Sequence, residues 1–247
     1  AFYMLGAYLA YTFMTLLKIN VPLSALMAVA AVALIGMAID YFGIRPLRER
    51  HAYVLILTLA FALFFQELMY GIYGPYGKPV KSFVEGEIVL GGVHISYQKL
   101  ITLFVAAASV TLLWFFIKKT RTGKSISAVA QNKAASILVG IQYEKVYRMT
   151  MAISAALAAT AGVFISPILE AVPTMWSFPL FKAFAIVIIG GLGSMEGAII
   201  ASLLLGYSET MVSILLSANY SDMVYLIAII LVLALRPTGL LARGRAQ

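Results

Sequence analysis

Stretches of about twenty apolar residues recur along this chain, and they leave few folds open. A helix of ~20 mostly apolar residues crosses the hydrocarbon core of a bilayer. In lipid only helices and closed barrels satisfy their own backbone polar groups. Such stretches lie at residues 21–42, 52–73, 99–117 and 146–169. A shorter one, 179–193, runs through the glycine-rich turn GGLGSMEG into a full-length run ending at Leu216, and a last one covers 222–235. The opening stretch, AFYMLGAYLAYTFMTLL, is apolar from residue 1 with no basic region before it. It reads as part of a span rather than as a signal peptide. Of the 247 residues, 62% are hydrophobic and 11% charged, against about 25% charged in soluble domains. A soluble core is excluded. The expected fold is all-α: a polytopic transmembrane helical bundle, one domain over 1–247, with a broken or re-entrant helix pair at the glycine turn. The lack of cysteine removes disulfides and thiolate metal sites.

The formal net charge of +8 takes its meaning from placement. The polar segment 118–148 holds Lys118, Lys119, Arg121, Lys124, Lys133, Lys145 and Arg148, seven of the 18 Lys and Arg. If the spans alternate, these share a side with Arg45, Arg48 and Arg50 of GIRPLRERH and with Arg236, Arg243 and Arg245 of the tail. Lys18, Lys78, Lys81, Lys99 and Lys182 fall on the other side. Basic excess marks the cytoplasmic face. The segment 118–148 and the C-terminus are therefore expected in the cytoplasm, and the Gly- and Pro-rich loop 74–98 outside. IVLGGVHISY within that loop predicts a small hairpin around Gly91 and Gly92. Charge laid out by topology also removes the nucleic-acid partner that +8 indicates in a soluble protein.

Within 118–148, Ile126, Val129, Ala130, Ala134, Ile137, Leu138 and Ile141 recur at helical spacing. They predict one apolar stripe on a short helix, with Ser125 as N-cap and Gly140 just past the C-terminus. Ser127, Gln131, Asn132 and Ser136 fill much of the remaining surface. Periodicity leaves two roles open: a helix lying on anionic lipid headgroups, or one docking into a protein groove. The GKS at 123–125 is not a phosphate loop, because Lys118 stands where the first glycine must be and a membrane span replaces the required strand. Gly191, Gly193 and Gly197 imitate a dinucleotide fingerprint, but no βαβ pattern surrounds them. With Gly190 they are read as positions where two membrane helices approach and turn.

Three carboxylates lie within or at the ends of spans. At 1.5 Å per residue, Glu67, Glu170 and Glu209 come out in the outer part of the membrane. Ionisable groups at such depth face a cavity or pair with one another. Either they line a solute pathway and meet an ammonium group, or they are structural, as in a Glu170–Lys182 pair, or they snorkel to the interface. His51 and His94 lie in loops on opposite sides and cannot share a metal. No serine–histidine–carboxylate set points to a nucleophile, so no catalytic residue, metal site or cofactor is expected on this chain.

Five stretches stand in a telling order: FYMLGAY at 2–8; RPLR at 45–48 followed by LTLAFALFFQ and YGP; RTGKSISAVAQNKAASILVGI at 121–141; GGLGSMEGAIIASLLLGYSE at 190–209; and RPTGLL at 236–241. Together they resemble the membrane permease subunits of the branched-chain amino-acid ABC importers. The resemblance implies a multi-pass protein of the bacterial inner membrane that is not itself an enzyme. Two permease subunits, commonly different, would form the pathway by alternating access. Two cytoplasmic ATPase subunits would bind the ATP and Mg, and a periplasmic binding protein would deliver the solute. It also makes 118–148 a cytoplasmic coupling segment, with Gly123, Ser125, Gln131, Asn132, Ala134, Ala135, Gly140 and Ile141 as its ATPase-coupling residues. Two departures stand out: the general importer pattern has glutamate where this chain has Ala134, and the family's further N-terminal helix is missing ahead of Phe2, which reads as N-terminal incompleteness. A sugar permease of related architecture is the nearest alternative. An ion-coupled secondary transporter should show inverted repeats and a carboxylate near mid-bilayer, and neither is evident.

Overall fold

The computed structural model describes residues 1–90, 93–191, 193–217, 220–221 and 223–235. Its helices are α1 (Phe2–Thr15), α2 (Val21–Ile39), α3 (Arg45–Leu47), α4 (His51–Tyr73), α5 (Tyr97–Lys119), α6 (Arg121–Gln131), α7 (Lys133–Leu138), α8 (Tyr143–Leu169), α9 (Ser177–Gly190), α10 (Met195–Leu215) and α11 (Met223–Leu235). Among the described residues, five helical stretches are long and apolar enough to cross a membrane: Val21–Leu47, Ala52–Tyr73, Tyr97–Lys119, Tyr143–Leu169 and Met195–Leu215. Their outward faces carry Leu55, Ile56, Leu103, Phe104, Leu112 and Leu203, all exposed. Apolar surface on this scale suits lipid rather than water. The chain is a multi-pass membrane protein. Within the stretch read as one domain, packing defines two compact units, Ala1–Trp176 and Ser177–Gln247.

In the first unit α1 packs against α2 and α8, which also pack on each other. Small residues make this possible. A Cβ on Gly6 would strike the Ala159 backbone, one on Gly162 the Tyr3 carbonyl, and one on Gly36 the Ala155 methyl. With no side chain between them, the helices touch backbone to backbone, the arrangement that gains most from dispersion where no hydrophobic drive exists. Met4, Ala7, Tyr8, Val32, Ala155 and Val163 fill the remaining core.

The basic loop expected at 43–51 is largely helical instead. A π-helical turn, Asp40–Ile44, carries α2 into α3. The reason is local charge: buried Asp40 accepts from the Arg48 guanidinium at 2.5 Å, and Arg45 pairs with Glu144 at the start of α8. Arg48 also lies 4.2 Å over the Tyr147 ring and Arg148 lies 5.1 Å over Tyr41. These contacts pin the basic end of α2 to the basic end of α8.

At the other end, β1 (Glu87–Leu90) and β2 (Val93–Ser96) pair antiparallel, Leu90 opposite Val93. Their turn, Gly91 and Gly92, lies outside the described residues. Two backbone hydrogen bonds between Lys78 and Ala171 tie the loop to the end of α8. Phe83 stacks on Phe164 at 4.4 Å between centroids. Buried Gln98 accepts from the Phe83 N–H and donates to the Phe164 carbonyl, both at 3.0 Å. Pro167 lies inside α8 and cannot donate to the Val163 carbonyl. The Ser166 hydroxyl donates to that carbonyl at 3.0 Å and fills the gap.

Candidate functional site

The segment 118–148 begins with a sharp reversal at the end of α5. Thr120, not Ser125, caps the new helix: its hydroxyl oxygen accepts from the Gly123 N–H at 3.0 Å. Ser125 sits inside α6, its hydroxyl donating back to the Arg121 carbonyl at 3.1 Å. Gly123 is buried against the last turn of α5, where a Cβ would collide with the Phe116 and Ile117 backbone. A bare backbone is what allows α6 to fold back so tightly. Gly123 therefore has a packing reason to be glycine, beside any coupling role.

The single helix expected through Ile141 is two helices. α6 ends at Gln131, and Asn132 takes an extended conformation (φ −152°, ψ 103°) between it and α7. Its backbone N–H closes α6 on the Ala128 carbonyl, and its side-chain oxygen accepts from the Ala135 N–H, both at 3.0 Å. One asparagine thus ends one helix and caps the next. The break divides the expected apolar stripe. Val129 is buried and Ile126 half-buried where α6 packs on α8, whereas Ala130 on α6 and Ala134, Ile137 and Leu138 on α7 are exposed. Val139, which periodicity did not single out, joins them. Leu138 is 90% exposed and Val139 80%. Gln131, Asn132 and Ala135 are exposed beside them, and Ile141 is half-buried.

Gly140 stands where the sequence placed it. Its φ of +82° lies in the left-handed region. The Gly140 N–H donates to the Ile137 carbonyl at 2.9 Å and the Ile141 N–H to the Ser136 carbonyl at 3.0 Å. This pair of bonds is a Schellman closure, which needs a left-handed residue at that position. Lys133 lies 4.7 Å over the Tyr143 ring at the start of α8. The arrangement is a short, capped, apolar tip standing on the basic end of α8, with α6 as its strut.

The second unit holds the glycine turn. Gly191 and Gly193 have φ of +94° and +88°. Ser194 caps α10, its hydroxyl oxygen accepting from the Gly197 N–H at 3.0 Å. A Cβ on Gly190 or Gly197 would strike the other's backbone. Two of the four glycines therefore turn the chain and two let α9 and α10 touch. Nearby in the same unit, Glu209 of α10 pairs with Lys182 of α9 and accepts from the Tyr225 hydroxyl of α11 at 2.6 Å.

The Lys182–Glu209 pairing within the second unit is one that the sequence did not suggest. Glu209 is occupied on both oxygens by groups of its own unit. Glu170 ends α8 in a left-handed conformation (φ +60°), its carboxylate against Gly77 of the 74–98 loop. Glu67 is exposed on α4, with Gln66 donating to it at 3.5 Å. Within the first unit, Glu67 and Glu170 each meet different partners.

The family model for the branched-chain amino acid transport system permease component matches residues 1–233. The permease protein BraD of a high-affinity branched-chain amino acid transport system from Pseudomonas aeruginosa is 32% identical over 260 residues, covering 99% of this chain and 85% of the relative. LivH of Escherichia coli K12 is 28% identical, covering 99% of this chain and 84% of that protein. The ribose import permease RbsC of the same strain is 28% identical over a shorter stretch, 88% of this chain and 70% of that protein. No solved structure matches the chain. A match along nearly its whole length places this chain in the family of permease components of branched-chain amino acid transport systems.

Proposed function

We propose that this chain is one of two permease subunits of an ATP-driven importer for branched-chain amino acids, set in a bacterial inner membrane with its basic ends in the cytoplasm. The observation that carries the reading is the family match over residues 1–233. ATP and Mg belong to two separate ATPase subunits, the second permease is a different chain, and a periplasmic protein delivers the solute. The pathway opens alternately to the two sides. The sugar reading is weaker, because the ribose permease covers less of this chain and less of its own length.

The apolar tip on α7 is the coupling contact. A helix meant for the lipid surface keeps one apolar face along its length. Here the break at Asn132 turns the apolar face of α6 inward and leaves Ile137, Leu138 and Val139 as a compact knob. A knob of this size fits a groove on a folded partner. Its rigid connection to α8 would carry motor-domain movement into α1 and α2, which pack on that helix.

The test is uptake of radiolabelled L-leucine into vesicles holding the complete importer. Uptake should require ATP and both motor subunits. Leu138→Asp should lower uptake at least ten-fold while the permease still inserts, because it buries a charge in an apolar groove. Uptake that survives removal of the motor subunits would sink the ATP-driven reading. Normal uptake by Leu138→Asp would remove the knob from the coupling contact.

A further inference from the structure

Tyr8 is 1% exposed in the core of the first unit. Its hydroxyl is buried and has no hydrogen-bond partner among the described residues. A buried group left without a partner carries a free-energy cost relative to one that is satisfied. Phenylalanine would fill the same volume without that cost. The hydroxyl is therefore held in place for something other than packing.

Its surroundings indicate what that is. Tyr73, the last residue of α4, lies with its ring 4.8 Å from that of Tyr8, tilted against it. The Thr12 hydroxyl donates to the Tyr8 carbonyl at 2.7 Å, so its oxygen accepts from the Tyr73 hydroxyl, with which it is also in contact. Tyr11 meets Tyr73 edge-on. Met4, Leu5 and Met69 belong to the same buried apolar core as Tyr8. The loop that starts at Gly74 follows directly, so the cluster lies at the end of the unit away from the basic face.

We propose that Tyr8, Thr12 and Tyr73 form a contact site for the charged head of a small apolar amino acid crossing the permease. The proposal rests on the transport reading above. The Tyr8 and Tyr73 hydroxyls can donate to a carboxylate, the Thr12 oxygen accepts from an ammonium group, tyrosine ring faces attract one, and the surrounding methionine and leucine core suits a hydrocarbon side chain. Neutral donors also bind weakly enough to let go, which a conducting site requires. Displacing Tyr73 from Thr12 frees the Tyr73 O–H as a donor and leaves the Thr12 oxygen open as an acceptor, while the Thr12 hydrogen stays on the Tyr8 carbonyl.

The experiment uses the complete importer in proteoliposomes, with ATP, the solute-loaded binding protein and radiolabelled L-leucine or L-valine. If the unaltered importer moves neither, the transport reading fails and this site fails with it. If it does, Tyr8→Phe should lower initial uptake of both about ten-fold, the effect of losing a hydrogen bond to a charged group. Its melting temperature in detergent should hold or rise. The loss should be equal for the two solutes, because they share the head and differ in the side chain. Unchanged uptake with raised stability makes Tyr8 a core residue and overturns the proposal, as does a loss that falls on one solute alone. Should Tyr8→Phe fail to insert, Tyr73→Phe decides: it keeps the ring and removes the hydroxyl that meets Thr12, and uptake equal to that of the unaltered importer rejects the site.

Discussion

Gly197 and Gly206 sit on the same helix and answer to different physics. A Cβ on Gly197 would overlap the Gly190 carbonyl, whereas one on Gly206 meets nothing within 4 Å. Gly197→Ala should therefore force α9 and α10 apart and cost about 1–3 kcal/mol, the usual penalty of overpacking. Gly206→Ala should stabilise the permease by up to about 1 kcal/mol through helix propensity alone. Thermal melting of the two variants in detergent separates these signs; equal shifts would contradict the contact. The Lys182–Glu209 pair makes a second prediction. Lys182→Met leaves a carboxylate without its cation between three apolar helices, which costs 3–5 kcal/mol when burial is complete. With side chains 31% and 25% exposed, about 2 kcal/mol is expected here. Exchanging the two residues should recover much of the lost melting temperature, and Tyr225 should then face a lysine without disrupting the fold. If the exchange is as unstable as the single change, the pair is not what holds α9 to α10.

Elements were legible wherever a long apolar run decided them. The spans around α4, α5, α8 and α10 follow from length and composition, since lipid leaves the backbone almost no alternative to helix. Gly140 was legible because the Schellman closure is local chemistry, complete within a few residues. Gly140→Val should strain the left-handed position by about 1–2 kcal/mol and loosen the last turn of α7. In the complete importer we expect leucine uptake to fall several-fold while ATP hydrolysis continues, with insertion intact; coupled uptake at the normal rate would free Gly140 from the coupling role. The break at Asn132 was not legible from periodicity. It depends on α6 packing into the angle between α5 and α8, and a hydrophobic pattern has the same spacing whether or not the helix is interrupted. A cap-forming asparagine before Lys133 and Ala134 was the available signal. The Lys182–Glu209–Tyr225 grouping was hidden for a related reason: its members lie far apart in sequence and meet only through tertiary packing. The same holds for Tyr8 and Tyr73, which read as two unremarked aromatics in apolar runs.

The whole molecule depends on one claim about sidedness, that the α7 tip and the 74–98 loop lie across the membrane from each other. Basic residues support it: Arg45, Arg48, Arg148 and the 118–148 segment gather at one end of the first unit, where ion pairs and cation–π contacts join α2 to α8. The opposite end carries the hairpin and the bridge from Lys78 to Ala171. The absence of cysteine from these 247 residues makes the test direct, because an introduced thiol is the one thiol among them. Tyr76 is 80% exposed and Leu138 90%, so a cysteine at either is open to reagent in the isolated subunit. A membrane-impermeant maleimide should label Tyr76→Cys in spheroplasts and Leu138→Cys in inside-out vesicles lacking the motor subunits. Val32→Cys, at a position with no exposure, should resist the reagent from both sides until detergent is added. Adding the motor subunits to the inside-out vesicles should then protect Leu138→Cys and leave Tyr76→Cys, labelled after solubilisation, unaffected. Labelling of both thiols from one side would overturn the topology. Correct sidedness with no protection would keep the topology and remove the α7 tip from the motor interface.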